Sequence, residues 1–159
     1  MSLTPAQLVT LKAAILAEPD SQFVLLRQAG ATGAMAEFFN GASTTVAWKS
    51  SVTIRETGQA FNGTEWAGMT TANHTRLQTV AQYLMVYSAV LADVRAMFND
   101  IWSGAGGAIT RAALLVLWKR FVTRGERIFA TGAGTDALPA TLVFEGSITN
   151  DHIVRALGS

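Results

Sequence analysis

Apolar residues recur at helical spacing along most of this chain. Leu8, Leu11 and Ile15 follow one another at intervals of three and four, which puts them on one face of a helix. Thr4-Pro5-Ala6-Gln7 ahead of them is a helix start. The threonine hydroxyl can cap, proline suits the first turn, and the glutamine reaches back to close a capping box. Pro19 ends this helix. Asp20 or Ser21 caps a second, short helix through Gln28 that stops at Gly30, and a third covers Ala34 to Asn40 before Gly41. Thr44-Thr45-Val46-Ala47-Trp48 alternates weakly and has extended character. Thr53 to Phe61 reads as a helical turn or two, and Gly58 and Gly63 count against both readings.

The clearest periodicity lies between Asn73 and Trp102. Leu77, Val80, Leu84, Tyr87, Leu91, Val94, Phe98 and Ile101 are spaced alternately by three and four, a heptad-like seam. As one helix this segment is ~40 Å long; a break near Ser88 makes it two antiparallel helices, and the pattern fits either. Ser103 to Gly107 reads as a flexible turn that lacks the lysine and Ser/Thr of a phosphate-binding loop. The spacing then predicts a helix from Thr110 to Ala130, with Leu114, Trp118, Phe121 and Ile128 on one face and Gly132 as its C-terminal signal. Gly125 falls on that face, where glycine costs about 1 kcal/mol relative to alanine; it either kinks the helix or admits a neighbouring backbone. Thr131 to Pro139 is a loop, Thr141 to Phe144 has strand character, and Asn150 can cap a last helix through Leu157. No internal repeat and no shift in composition marks a boundary. The expected fold is mainly α: a helical bundle with short irregular or β-like segments near 44–50 and 141–144. It forms a single helical domain over residues 1–159, with 133–159 as a candidate extended C-terminal arm.

Composition sharpens this picture in one respect. The chain has 159 residues, half of them apolar and only 14% charged, against roughly 25% in typical soluble domains. So few solvated groups point to apolar surface that a partner covers. Twelve basic and 11 acidic residues leave a net charge of +1, so no global field draws nucleic acid or membrane. There is no cysteine, hence no disulfide or thiolate metal site. Met1 to Pro5 lacks the basic region and apolar run of a secretory signal. No apolar stretch approaches the ~20 residues that cross a bilayer.

The candidate chemistry is sparse. His74 has no His, Cys, Asp or Glu three or four residues on, as a helical metal pair requires; it and His152 read as surface or helix-start histidines. Asp93 and Asp100 can share a helical face, but paired acids need a partly desolvated cleft. No serine lies in a G-x-S-x-G elbow; Ser50, Ser51 and Ser103 read as caps and turn residues. Trp48, Trp66, Trp102 and Trp118 read as core, with interface anchors as the alternative. No catalytic residue, cofactor or metal is expected, and the chain is read as a non-enzyme. One feature stands out: Arg111, Lys119, Arg120, Arg124 and Arg127 gather on the predicted helix, opposed only by Glu126. Arg120, Arg124 and Arg127 share a face by their spacing. They suit phosphate contacts, pairing with acidic residues of a neighbouring subunit, or a solvated face.

Several strings carry a resemblance. They are Leu3-Thr4-Pro5-Ala6-Gln7 with Leu11-Lys12-Ala13-Ala14-Ile15, then Asn99-Asp100-Ile101-Trp102-Ser103-Gly104-Ala105-Gly106-Gly107. A third runs from Thr123-Arg124-Gly125-Glu126-Arg127-Ile128-Phe129-Ala130 to Thr131-Gly132-Ala133-Gly134-Thr135, and a fourth is Pro139-Ala140-Thr141 leading to Phe144-Glu145-Gly146. Together they resemble small virion structural proteins of tailed bacteriophages, of the head–tail connector (adaptor) type. The likeness spans most of the chain and is weakest between Ala60 and Val90. It implies a helical subunit of a homo-oligomeric ring, usually twelve-fold, that docks on the portal, meets tail or neck proteins and surrounds the DNA. A bore lined by Arg120 and Arg124 would touch that DNA non-specifically. It implies a virion location after synthesis in the bacterial cytoplasm, and no membrane. A tail or head-completion protein of the same virion, or a small DNA-binding or packaging-associated protein, are the alternatives.

Overall fold

The computed structural model of the chain describes residues 2–158; Met1 and Ser159, the two ends of the expected domain, lie outside the described residues. In chain order, helices α1 (Pro5–Ala17), α2 (Ser21–Gln28) and α3 (Thr32–Asn40) lead into strand β1 (Ala42–Trp48). Strand β2 (Val52–Thr53) runs directly into α4 (Ile54–Gln59), followed by α5 (Gly63–Ala67), α6 (Thr71–Tyr83), β3 (Val86–Tyr87) and α7 (Ala92–Ile101). A 3-10 turn at Ala105–Gly107 precedes α8 (Ala108–Leu117), β4 (Lys119–Thr123), α9 (Arg124–Ile128), β5 (Ala130–Thr131), β6 (Thr141–Leu142) and α10 (Asn150–Gly158). The fold is mainly α with short β segments, and each sheet among the described residues has two strands: β1 with β4, β2 with β3, and β5 with β6.

Where one domain is expected from the sequence, contacts divide the chain into two compact units, residues 1–47 with 121–159 and residues 48–120. Each has its own core. In the first, Leu8, Leu11 and Ile15 of α1 meet Phe23, Met35, Phe39, Ile148 and Ile153. The capping box expected at Thr4 is present, and Asp20 caps α2. Residues 150–158 form no arm: α10 buries Ile153 and Ala156 completely in this core, because its apolar residues face α1 and α3. Its cap is Thr149 rather than Asn150, the Thr149 hydroxyl accepting from the His152 amide. In the second unit Phe98, Ile101, Trp102, Leu114 and Trp118 pack around Leu77 and Tyr87.

The heptad-like seam is two helices, not one. Tyr83 ends α6, Val86 and Tyr87 pair with Thr53 and Val52, and Ser88 accepts from the Val90 amide before α7 begins. The seam position Leu91 therefore lies in the connection and is exposed. The helix predicted from Thr110 to Ala130 is also broken, into α8, β4 and α9. Phe121-Val122-Thr123 adopts the extended backbone that aromatic and β-branched residues favour, beside β1. Thr123 then caps a new helix, with Glu126 completing a capping box. Leu114 and Trp118 consequently belong to the second core and Ile128 to the first, while Phe121 is exposed.

A repeat emerges at these strand–helix joints. Val46-Ala47-Trp48-Lys49-Ser50-Ser51-Val52-Thr53-Ile54-Arg55-Glu56 and Val116-Leu117-Trp118-Lys119-Arg120-Phe121-Val122-Thr123-Arg124-Gly125-Glu126 share Val, Trp, Lys, Val, Thr and Glu in register, 70 residues apart. The geometry matches as well. Val52 and Val122 are buried; Thr53 and Thr123 are extended, at φ −84°, ψ 152° and φ −74°, ψ 164°. The carboxylate of Glu56 accepts from the Thr53 amide at 2.8 Å, and that of Glu126 from the Thr123 amide at 3.0 Å.

Candidate functional site

The five basic residues singled out in the sequence do not lie on one helix: they divide among α8, β4 and α9. Arg111, on α8, is turned into its own unit: its guanidinium donates to the carbonyls of Trp102 and of Gly104, the latter at 2.8 Å. It ties down the turn before α8. Lys119 and Arg120 lie on β4, half-buried. The break before α9 removes the helical register that placed Arg120 with Arg124 and Arg127. Only Arg124 and Arg127 come together. They line a groove of about 650 Å³ in the first unit, with Glu18 after α1, Phe39 of α3 and Ser43 and Thr44 of β1. Arg124 stands 4.1 Å above the Phe38 ring centroid, an attraction between cation and ring face, and its amide donates to the Gly41 carbonyl. Arg127 is exposed at the rim.

Gly125 admits a close neighbour rather than kinking a helix. A Cβ there would lie 2.5 Å from the Ile148 Cγ1 and 3.3 Å from the Phe39 carbonyl oxygen. Beside it, Asn40 clamps the chain before α10: its amide group donates to the Ile148 carbonyl and accepts from the Ile148 amide, both at 2.8 Å.

The buried polar groups of the second unit are satisfied by one another. The Tyr87 hydroxyl lies 2.6 Å from the Thr57 hydroxyl and accepts from the Trp118 indole at 2.9 Å. Burial pushes the Tyr87 phenol above its ordinary value, outweighing these bonds. The Glu65 carboxylate accepts the amides of Ile109 and Thr110 at the head of α8, both at 2.8 Å. Burial raises the Glu65 carboxyl, but the bonds from Thr110 and Ile109 outweigh it, so the group is held below its ordinary value. Bonds from the Thr53 amide and hydroxyl hold Glu56 low in the same way. These carboxylates staple helix starts. Both capping boxes at Thr53 and Thr123 were legible as Thr-x-x-Glu, whereas the Glu65 and Tyr87 contacts join residues far apart in sequence.

His74 packs edge-on against Trp66, ring centroids 4.8 Å apart. His152 is buried, and its Nδ1 accepts from the Thr149 amide. Asp93 and Asp100 are exposed. Among the described residues no group of three or more His, Cys, Asp or Glu is placed to hold a metal ion, and no helix is long and apolar enough to cross a membrane.

Apolar side chains on the outside are the conspicuous surface feature. On α1, Val9, Ala13 and Leu16 form an exposed stripe opposite the buried Leu8, Leu11 and Ile15, with Val9 62% and Leu16 58% exposed. The second unit exposes Tyr83, Met85 and Val86 near the end of α6, and Ile109 and Val116 on α8. No protein-family model matches the chain, and neither a curated protein nor a solved structure matches it.

Proposed function

We propose that this chain is a structural virion protein of a tailed bacteriophage, an oligomeric head–tail connector adaptor that docks on the portal and contributes to the wall of the DNA channel. The observation that carries the reading is the second apolar face of α1. A surface helix normally shows one apolar stripe to its core and polar residues to water. Here Val9, Ala13 and Leu16 face outward in a chain with 14% charged residues. Contiguous exposed apolar surface marks a protein interface, and a ring needs two different patches that meet head to tail. The exposed residues of the second unit supply such a second patch. The likeness of its sequence strings to connector proteins supports the proposed position at the head–tail joint. Arg127, exposed at the groove rim, is available to an acidic neighbour or to a phosphate.

The test is co-sedimentation of the purified chain with its portal ring. The wild type is expected to pellet with the ring. Val9→Glu combined with Leu16→Glu keeps the helical signal and the melting temperature but stays in the supernatant. A wild type that ignores the portal, or a double variant that binds it equally well, overturns the proposal. A chain that instead binds duplex DNA, with affinity falling steeply as salt rises, belongs to the packaging-associated class. A tail or head-completion protein differs in ring symmetry.

A further inference from the structure

Arg124 and Arg127 are the two basic residues that the fold brings into one groove, and the fold neutralises neither. Among the described residues no carboxylate lies within ion-pair distance of either guanidinium. The acids nearest in sequence are engaged elsewhere. The Glu126 carboxylate accepts from the Thr123 amide and, at 3.2 Å, from the Gly146 amide. That of Glu18 accepts from the Asp20 amide at 3.3 Å. The carbonyls of Ile15 and Leu16, near the end of α1, are taken by Arg27 at 2.8 and 2.6 Å. A guanidinium carries five N–H donors in a fixed fork, so the groove presents donors that the fold itself does not use.

Arg124 is also held in place beforehand. Its amide donates to the Gly41 carbonyl at 2.9 Å, and its guanidinium stands over the Phe38 ring. Gly125, next to it, lets α9 close on α3, since a Cβ there would come within 3.3 Å of the Phe39 carbonyl oxygen. A side chain fixed in this way loses little freedom when a ligand arrives. The remaining walls are mostly apolar, from Ala14, Pro19, Phe39 and Ile128.

We infer that this groove is a binding site for an acidic peptide segment of a partner protein, whose carboxylates pair with Arg124 and Arg127 while an apolar side chain of the same segment lies against Phe39 and Ile128. Guanidinium and carboxylate match as bidentate partners. The volume of about 650 Å³ falls among sites that enclose small ligands, roughly 300–1,000 Å³: room for a few side chains, not for a DNA duplex. Apolar walls offer a sugar–phosphate backbone nothing, and Glu18 repels it. A peptide supplies carboxylates and apolar groups together. The groove uses Ala14 of α1 and not the outward stripe of Val9, Ala13 and Leu16, so the inference goes beyond the virion reading and does not rest on it.

The test is selection of a displayed random heptapeptide library on the intact chain, with the enriched peptides synthesised and titrated by fluorescence anisotropy. These peptides are expected to carry Asp or Glu beside a Leu, Ile or Phe, and to bind more weakly as salt rises. Arg127 is exposed, so Arg127→Glu is expected to keep the melting temperature while weakening binding about tenfold or more, as loss of a charge-assisted pair does. Replacing the peptide's acids by their amides, with the protein unchanged, is expected to weaken it as much. Enrichment of no acidic peptide overturns the inference, and so do acidic peptides that bind Arg127→Glu as tightly as the wild type, or whose amide forms bind as well. A short DNA duplex that binds more tightly than the peptides and loses that affinity in Arg127→Glu also overturns it, by making nucleic acid the ligand.

Discussion

Trp102 and Trp118 show how much a single polar atom decides. Both are buried in the core of the second unit. The Trp118 indole donates to Tyr87; the Trp102 Nε1 has no hydrogen-bond partner among the described residues. Replacing either by phenylalanine removes similar apolar area. Trp118→Phe also leaves a buried hydroxyl short of a donor, which typically costs about 1–3 kcal/mol. Trp118→Phe is therefore expected to lower stability by about 1–2 kcal/mol more than Trp102→Phe in urea melts. Equal losses would show that the bond contributes nothing. Tyr87 adds a pH dependence. Its phenol is raised above the ordinary 10.0 by burial, so the folded state keeps a proton that the unfolded chain releases first. The stability this lends is intact below about pH 10 and is lost as pH rises from there through the folded value. Melts between pH 8 and pH 11 are expected to decline less steeply for Tyr87→Phe than for the wild type. At this scale the sequence was partly legible. The tryptophans suggested a core by size alone, and three of the four are in it or packed against it with little exposure, while Trp66 remains 40% exposed. Arg111 could not be assigned, because the carbonyls it holds come together only once the turn at Ala105–Gly107 has formed.

Capping explains which elements were readable from the chain. Helix starts with a local signature, at Thr4 and Asp20, stand where their residues put them, because the hydroxyl or carboxylate satisfies amides two or three residues away and needs no tertiary help. The stretch from Thr110 to Ala130 misled for an equally physical reason. Two elements in different cores, α8 with Leu114 and α9 with Ile128, leave apolar residues at intervals that imitate a single helical face. Thr123-x-x-Glu126 inside that stretch was the contrary signal. The same local chemistry yields a prediction across the repeat. Thr53→Ala and Thr123→Ala each remove the acceptor of a capping box and are expected to cost about 1 kcal/mol each. Thermal melts that show one severe and one silent variant would contradict the equivalence of the two joints. The candidate site was legible in its last part alone. Arg124 and Arg127 are three apart on α9 and do share a groove, but Lys119 and Arg120 precede the break.

For the whole molecule, two cores rather than one follow from the two crossings, and the repeat that marks them is short. Outside Val46–Glu56 and Val116–Glu126 the halves agree in the order and length of their helices more than in residues, since many apolar combinations of similar volume fill a helical core. Periodicity read one segment at a time therefore shows no repeat. The outward apolar stripe of α1 was equally hidden, because Leu8, Val9, Leu11, Ala13, Ile15 and Leu16 together read as one strongly apolar helix until the core claims one face. That unclaimed face is the one the proposed docking uses. The most direct measurement is a single-particle map of the mature phage. A closed ring of this helical chain between portal and tail, with α1 against an adjacent subunit, is the expected result; a neck fully traced by other proteins, with this chain nowhere in it, would overturn the proposed function.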